Sequence, residues 1–386
     1  MPLWAGWISS VPRRYAAGVK RVLSFLLTLS CVACGGGQSG NSVDGGLDAQ
    51  LDAALGDASL DAPVDLDAAT DAATDASLDA DLDAATDAGP PLRGPPYPIV
   101  LAHGFFGFED FAGIEFITYF YRVKSHLAAE GETLVFTPAV DPFAGSDERG
   151  LQLLAEVERI VHDTGYAQVN IIGHSQGGLD ARVVAALRPD LVASVTTIAT
   201  PHAGTPVADA LVRITDYPRL SELIDAFVRL IGAPIYSALG ADTSVTAALR
   251  QLSSVGMDEF NAMYPPDPDM PYFSIAGRSD NHPGGPECAA TDSPAFITRW
   301  RRDLDPIDPL FILPEAINDG EIGPGHPNDG MVRVIDAHFG RFLGCIPADH
   351  MDEVGHLFGD SPGLGNDFDY LQFWSDLIAW LRAQGY

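Results

Sequence analysis

The sequence predicts an α/β fold, a mostly parallel sheet with helices on both faces, and three observations predict it. Apolar, β-branched runs at 97–102, 133–137, 169–174 and 194–199 alternate with helix-compatible segments, the order that builds βαβ units. The third run ends in Gly173-His174-Ser175-Gln176-Gly177-Gly178, a Gly-x-Ser-x-Gly that passes straight into a helix-permissive stretch at 179–187. Residues 92–386 are also enough for one large domain with a substantial core.

The first 91 residues of the 386 belong to something else. Arg13, Arg14, Lys20 and Arg21 precede an apolar run at 22–33 that is too short to span a bilayer comfortably, so residues 1–33 have the charge order of an export signal. The run ends Cys31-Val32-Ala33-Cys34-Gly35-Gly36-Gly37, small residues before a cysteine and flexible glycines after it. This resembles a bacterial lipoprotein signal with Cys34 as the acylated first residue, although Cys31 stands where leucine is usual. The expected location is then the outer membrane or cell surface; cleavage to a free secreted protein is the alternative.

Residues 34–91 form the expected linker. Within it 41–90 repeats Asp-Ala with Leu, Thr and Ser, and holds thirteen aspartates and no Lys, Arg or aromatic residue. Such a segment buries too little apolar area to offset its ordering entropy and repels itself, so it should be a solvated spacer with a reach of roughly 40 Å. It lacks the glycine-rich nonapeptide of a calcium-binding β-roll.

The remaining domain carries 40 acids against 18 bases, a formal charge of −22. That excludes nucleic acid as a natural partner and electrostatic docking on anionic lipid, while it suits a cation site. Its two cysteines, Cys288 and Cys345, are expected to form a disulfide in an exported chain, two buried thiols being the other reading. Helices are expected at 116–130, 150–163 and 179–187, between the strands already given.

A strand, sharp turn and helix around Ser175 make a nucleophile elbow, in which the strained serine lifts its Oγ clear of the sheet. Gly173 and Gly177 flank it because a Cβ would clash where strand and helix approach. A glycine-rich turn with an incidental serine is the bland reading of the same letters. Serine chemistry further requires a base, an acid that orients the base, and N–H donors for the oxyanion; the chain order in this architecture is Ser, acid, His.

His202, in Thr200-Pro201-His202, has no suitable acid between it and Ser175 and reads as structural. His350, in the loop-like Asp349-His350-Met351-Asp352-Glu353, is the preferred base. Two Asn-Asp-Gly triplets compete for the acid. The one containing Asp319 reads as an ordinary turn, whereas the one containing Asp329 leads into a strand-like 331–335, so Asp329 is preferred.

Five blocks therefore occur in order: Pro98-Ile99-Val100-Leu101-Ala102-His103-Gly104-Phe105; Gly173 to Gly178; Asp190-Leu191-Val192-Ala193-Ser194-Val195-Thr196-Thr197-Ile198 with Thr200-Pro201-His202; Asn328-Asp329-Gly330-Met331-Val332; and His350-Met351-Asp352-Glu353. Together they resemble the bacterial true lipases of the Pseudomonas and Burkholderia type, triacylglycerol hydrolases of the α/β-hydrolase fold. The resemblance implies Ser175, Asp329 and His350 as a triad, with the 21-residue step between the last two close to the family's spacing. It implies backbone N–H groups of Phe105 and Gln176 as the oxyanion hole.

The resemblance also implies a structural Ca²⁺ held by the carboxylates of Asp305 and Asp352 and the backbone carbonyls of His356 and Asp360, an oxygen-only set that suits this ion. Asp308 rivals Asp305, and an apolar residue is usual at 360. Leu220, Leu223, Ile224, Phe227, Val228 and Ile231 follow a helical i, i+3, i+4 rhythm, which in a lipase can be a lid and elsewhere a plain core helix. Some members require a lipase-specific foldase. The expected activity is hydrolysis of triacylglycerol or another lipid ester through an acyl-enzyme. A short-chain carboxylesterase or polyester hydrolase is the neighbouring reading, and a non-catalytic, surface-tethered binding protein the distant one.

Overall fold

Period-two alternation in each strand decides how the sheet is covered. In β1 (Ile99–Ala102), Ile99 and Leu101 enter one buried cluster while Val100 and Ala102 enter another; Ile172 and Ile171 of β3 (Val169–His174) divide the same way. Each strand is buried on both faces, as parallel sheets require. The computed structural model describes residues 92–105, 119–215, 245–279, 284–300, 303–319, 325–356, 362 and 366–386. The expected export signal at 1–33, Cys34, the expected Asp/Ala linker, the expected lid residues and Asp360 lie outside them.

After β1 come α1 (Val123–Ala129), β2 (Val135–Phe136), α2 (Ser146–Thr164), β3, α3 (Gln176–Leu187) and β4 (Val192–Ile198). Then follow α4 (Pro206–Thr215), α5 (Val245–Gln251), α6 (Ser254–Met263), β5 (Tyr272–Gly277), α7 (Ala295–Thr298), α8 (Ile312–Asp319), β6 (Arg341–Ile346) and α9 (Tyr370–Gln384). The six strands are parallel throughout, in the order β2-β1-β3-β4-β5-β6. The chain reverses its direction of travel between β1 and β3. In an open α/β sheet such a switch point, outside the carboxyl ends of the strands, is the usual ligand position.

One face is covered by α1 and α9, with Val123 and Leu127 packing beside Phe373, Trp374, Leu377 and Leu381. The other is covered by α2 and α3, which contribute Leu153, Val157, Ile160, Ala181, Val184 and Ala185. Gly150 lets α2 and α3 cross closely, since a Cβ there would overlap the Val183 side chain. Gly165 ends α2 in the left-handed conformation at φ 70°, donating its N–H to the Val161 carbonyl.

Several expected boundaries move. Of the helix expected at 116–130, residues 116–118 lie outside the described ones, and α1 begins only at Val123 because Arg122 at φ 58° cannot belong to a right-handed helix. Residues 331–335 are not a strand. Asp329 Oδ1 captures the N–H groups of Met331 and Val332, at 2.8 and 2.7 Å, and so removes them from any ladder; the chain continues as a 3-10 turn at Val334–Ala337. Asn318 and Asp319 end α8 rather than forming a turn. The expected disulfide is present: Cys288 is bonded to Cys345, tying β6 to the turn at Pro286–Cys288.

Candidate active site

Ser175 stands between β3 and α3 at φ 55° and ψ −131°, a strained conformation for a residue with a Cβ. Neighbouring hydrogen bonds impose it: Ser175 N–H donates to the Ile198 carbonyl at 2.9 Å, and Thr200 Oγ1 donates to the Ser175 carbonyl at 2.8 Å. The glycines explain themselves sterically. A Cβ on Gly173 would overlap the Gly177–Gly178 peptide, and one on Gly177 would overlap the Ala102 carbonyl at the end of β1.

His350 Nε2 lies 2.9 Å from Ser175 Oγ, and its Nδ1 lies 2.7 Å from Asp329 Oδ2. Residues remote in sequence thus form one relay from three loops beyond the carboxyl ends of the strands. Asp329 is fully buried, and its second oxygen, Oδ1, is occupied by the two backbone donors described above. The backbone reinforces the pairing, because His350 N–H also donates to the Asp329 carbonyl at 2.9 Å. Gln176 opens α3 directly after Ser175, where the first N–H groups of a helix have no partner within it. Gly104 passes against Ser175 from the β1 side: a Cβ on it would stand 2.6 Å from Ser175 Cβ. Phe105 follows immediately.

A second polar set lies beneath the relay, and sequence reasoning gave it no role. His174 Nδ1 lies 2.6 Å from Tyr119 Oη and its Nε2 lies 2.7 Å from Glu353 Oε2, all three residues being buried. Burial, then the neighbouring His350 and His356, holds His174 well below its ordinary pKa; burial and the Asp329 charge push Glu353 up. His174 sits inside the elbow motif and Glu353 three residues after His350, so only their linear proximity to the triad signalled them. His202 is structural, as expected: its ring is buried, bonded to Arg182 and Thr197 and stacked on Phe339.

Carboxylate oxygens of Asp305, Asp349 and Asp352 fall within 4.8 Å of one another, and all three residues are buried. Burial, followed by the charge of Asp349, pushes Asp305 up to about 8. Among the described residues neither buried Asp305 oxygen has a hydrogen-bond partner, a costly arrangement unless something positive sits against them. Asp352 and Asp305 were expected here, whereas Asp349 was not. It accepts from the N–H groups of Asp308, Met351 and Asp352 at 3.2, 3.0 and 3.1 Å, which places Asp308 beside the cluster through its backbone. His356 is close by in sequence, with its buried ring 5.2 Å from that of Tyr119.

Residues 97–238 match the family model for the alpha/beta hydrolase fold. A triacylglycerol lipase of Pseudarthrobacter phenanthrenivorans is 41% identical over 291 residues, covering 68% of this chain and 90% of that protein. One of Burkholderia plantarii is 40% identical, covering 68% and 80%, and one of Vibrio cholerae is 34% identical, covering 68% and 81%. Among solved structures, EstA from Clostridium botulinum aligns with a TM-score of 0.50 at 19% identity, over 77% of this chain and 89% of that one. That likeness concerns the fold.

Proposed function

Since the chain belongs to the triacylglycerol lipase family of α/β hydrolases, we propose that Ser175, His350 and Asp329 are the catalytic triad with which it hydrolyses carboxylic esters. The observation that carries this reading is the continuous relay from Ser175 Oγ through His350 to the buried Asp329 at the sheet's switch point. His350 takes the proton of Ser175 as Oγ attacks the ester carbonyl, and Asp329 holds the imidazole and stabilises its charged form. The oxyanion rests against the N–H groups of Phe105 and Gln176. His350 then protonates the leaving alcohol, and water, activated by the same imidazole, releases the acyl group.

The experiment is a comparison of emulsified long-chain triglyceride with a soluble short-chain ester. Turnover of the emulsion is expected; hydrolysis restricted to the short ester would make the protein a carboxylesterase and leave the triad in place.

A calcium ion fits the three-aspartate cluster, because hard oxygen donors and two buried carboxylate oxygens with no hydrogen-bond partner among the described residues match its preferences. Asp305, Asp349 and Asp352 would hold it, and the ion would supply charge that stabilises the turn carrying His350. The carbonyls expected from His356 and Asp360 complete the proposed set.

Cys34 is proposed as a lipid attachment site, with the aspartate-rich spacer separating anchor from catalyst. This rests on the sequence pattern at 31–37. In a bacterial host, Cys34→Ser is expected to move the enzyme from the membrane fraction to the soluble fraction at unchanged specific activity. Native enzyme that is soluble and begins beyond residue 34 would count against it.

A further inference from the structure

Arg149 is the fourth residue of α2, and it is completely buried on the face that continues as the aliphatic Leu153, Val157 and Ile160. Its guanidinium reaches in two directions. Toward α3, Nε donates to Asp180 Oδ2 at 2.8 Å and Nη2 lies 2.7 Å from the same oxygen. Toward the loop after β1, Nη2 donates to the His103 carbonyl at 2.5 Å and Nη1 to the Gly104 carbonyl at 3.4 Å, while Nη1 also donates to the carbonyl of Asp141, in the loop after β2, at 2.9 Å.

The Gly104 carbonyl has a second donor. Val140 N–H donates to His103 Nε2 at 3.1 Å, so a neutral imidazole must carry its proton on Nδ1, which lies 3.0 Å from that carbonyl. Burial and the nearby Arg149 charge, holding His103 down to about 3, keep the ring neutral.

Two of these donors, Arg149 Nη1 and His103 Nδ1, meet on one peptide plane. The Gly104 carbonyl and the Phe105 N–H belong to the same rigid amide, so fixing the carbonyl fixes the direction of the N–H. Asp180 lies one turn along α3 from Gln176, the other oxyanion donor. We propose that Arg149 is a positioning residue for the oxyanion hole, clamping the Gly104–Phe105 peptide and the elbow helix at a fixed separation, with His103 as its partner on the same carbonyl.

The proposal rests on the reading of Phe105 and Gln176 as the oxyanion donors of an acyl transfer. Donors preorganised at the site of developing charge are worth most, and hydrogen bonds to a peptide carbonyl strengthen its N–H as a donor. Stability alone explains the arrangement poorly, since well-packed apolar residues commonly replace a buried ion pair without loss.

The test uses Arg149→Lys, which keeps the charge but lacks the planar fork needed to hold Asp180 and three carbonyls together. Active sites are counted by stoichiometric phosphonylation of Ser175. Affinity is then measured for an alkyl trifluoromethyl ketone, to which Ser175 Oγ adds to give a hemiketal oxyanion.

The expected result is kcat per titrated site lower by about 10- to 100-fold, KM nearly unchanged, and ketone affinity lower by a similar factor. A kcat per site within about threefold of wild type, or a fall that leaves ketone affinity intact, would overturn the proposal. If Arg149→Lys does not fold, His103→Gln carries the same test with an expected fall of about 3- to 10-fold, and an unaltered kcat and ketone affinity there overturns it. Wild-type protein that turns over no ester at all would instead remove the underlying reading.

Discussion

Replacing Ser175 with alanine is expected to reduce ester hydrolysis by about 10⁴-fold or more while leaving a folded protein. No other nucleophile is placed to substitute: among the described residues, Ser175 Oγ is the hydroxyl at 2.9 Å from His350 Nε2. Turnover within tenfold of wild type would remove Ser175 from its role. The same assay sorts the two Asn-Asp-Gly aspartates. In Asp329→Asn the side-chain oxygen is claimed by the N–H groups of Met331 and Val332, so the amide NH₂ must face His350 Nδ1. The imidazole is then forced to carry its proton on Nε2, where it cannot accept one from serine, and a loss of about 10⁴-fold in kcat is expected. Asp319→Asn, at the end of α8, should change kcat less than about twofold. The reverse ranking would show that the wrong aspartate has been chosen.

Removing calcium with a chelator is expected to lower the melting temperature by about 5 °C or more and activity in parallel, as for a ligand present at ~100 times its Kd. The ion would sit beside the loop that holds His350, not at the reacting atoms, so the fraction of correctly formed enzyme should change more than its substrate preference. Asp305→Ala is the cleanest probe, because Asp349 also accepts three backbone N–H groups and its loss would reshape the loop by itself. Added Ca²⁺ should restore chelated wild type and leave Asp305→Ala unchanged. A melting temperature indifferent to chelator and to calcium, in protein shown to be metal-free at the outset, would eliminate the site and leave the triad untouched.

The sequence by itself determined whatever is encoded locally. Continuous apolar, β-branched runs placed β1 and β3, and the glycine spacing around Ser175 defined the elbow, because both depend on neighbours within a few residues. His350 and Asp329 were also legible, as side chains of the right chemistry in the right chain order. Tertiary structure decided the rest. Residues 331–335 have strand-like letters, yet Asp329 takes their backbone donors, which only the placement of that carboxylate reveals. Arg149 and Asp180 received no role from the sequence; they are 31 positions apart, and burial turns them into a clamp on the loop after β1. Glu353 meets His174 across 179 residues, and Asp349 meets Asp305 and Asp352 only after folding. Such contacts depend on which elements share a side of the sheet and how far a loop reaches, quantities that no short-range periodicity encodes.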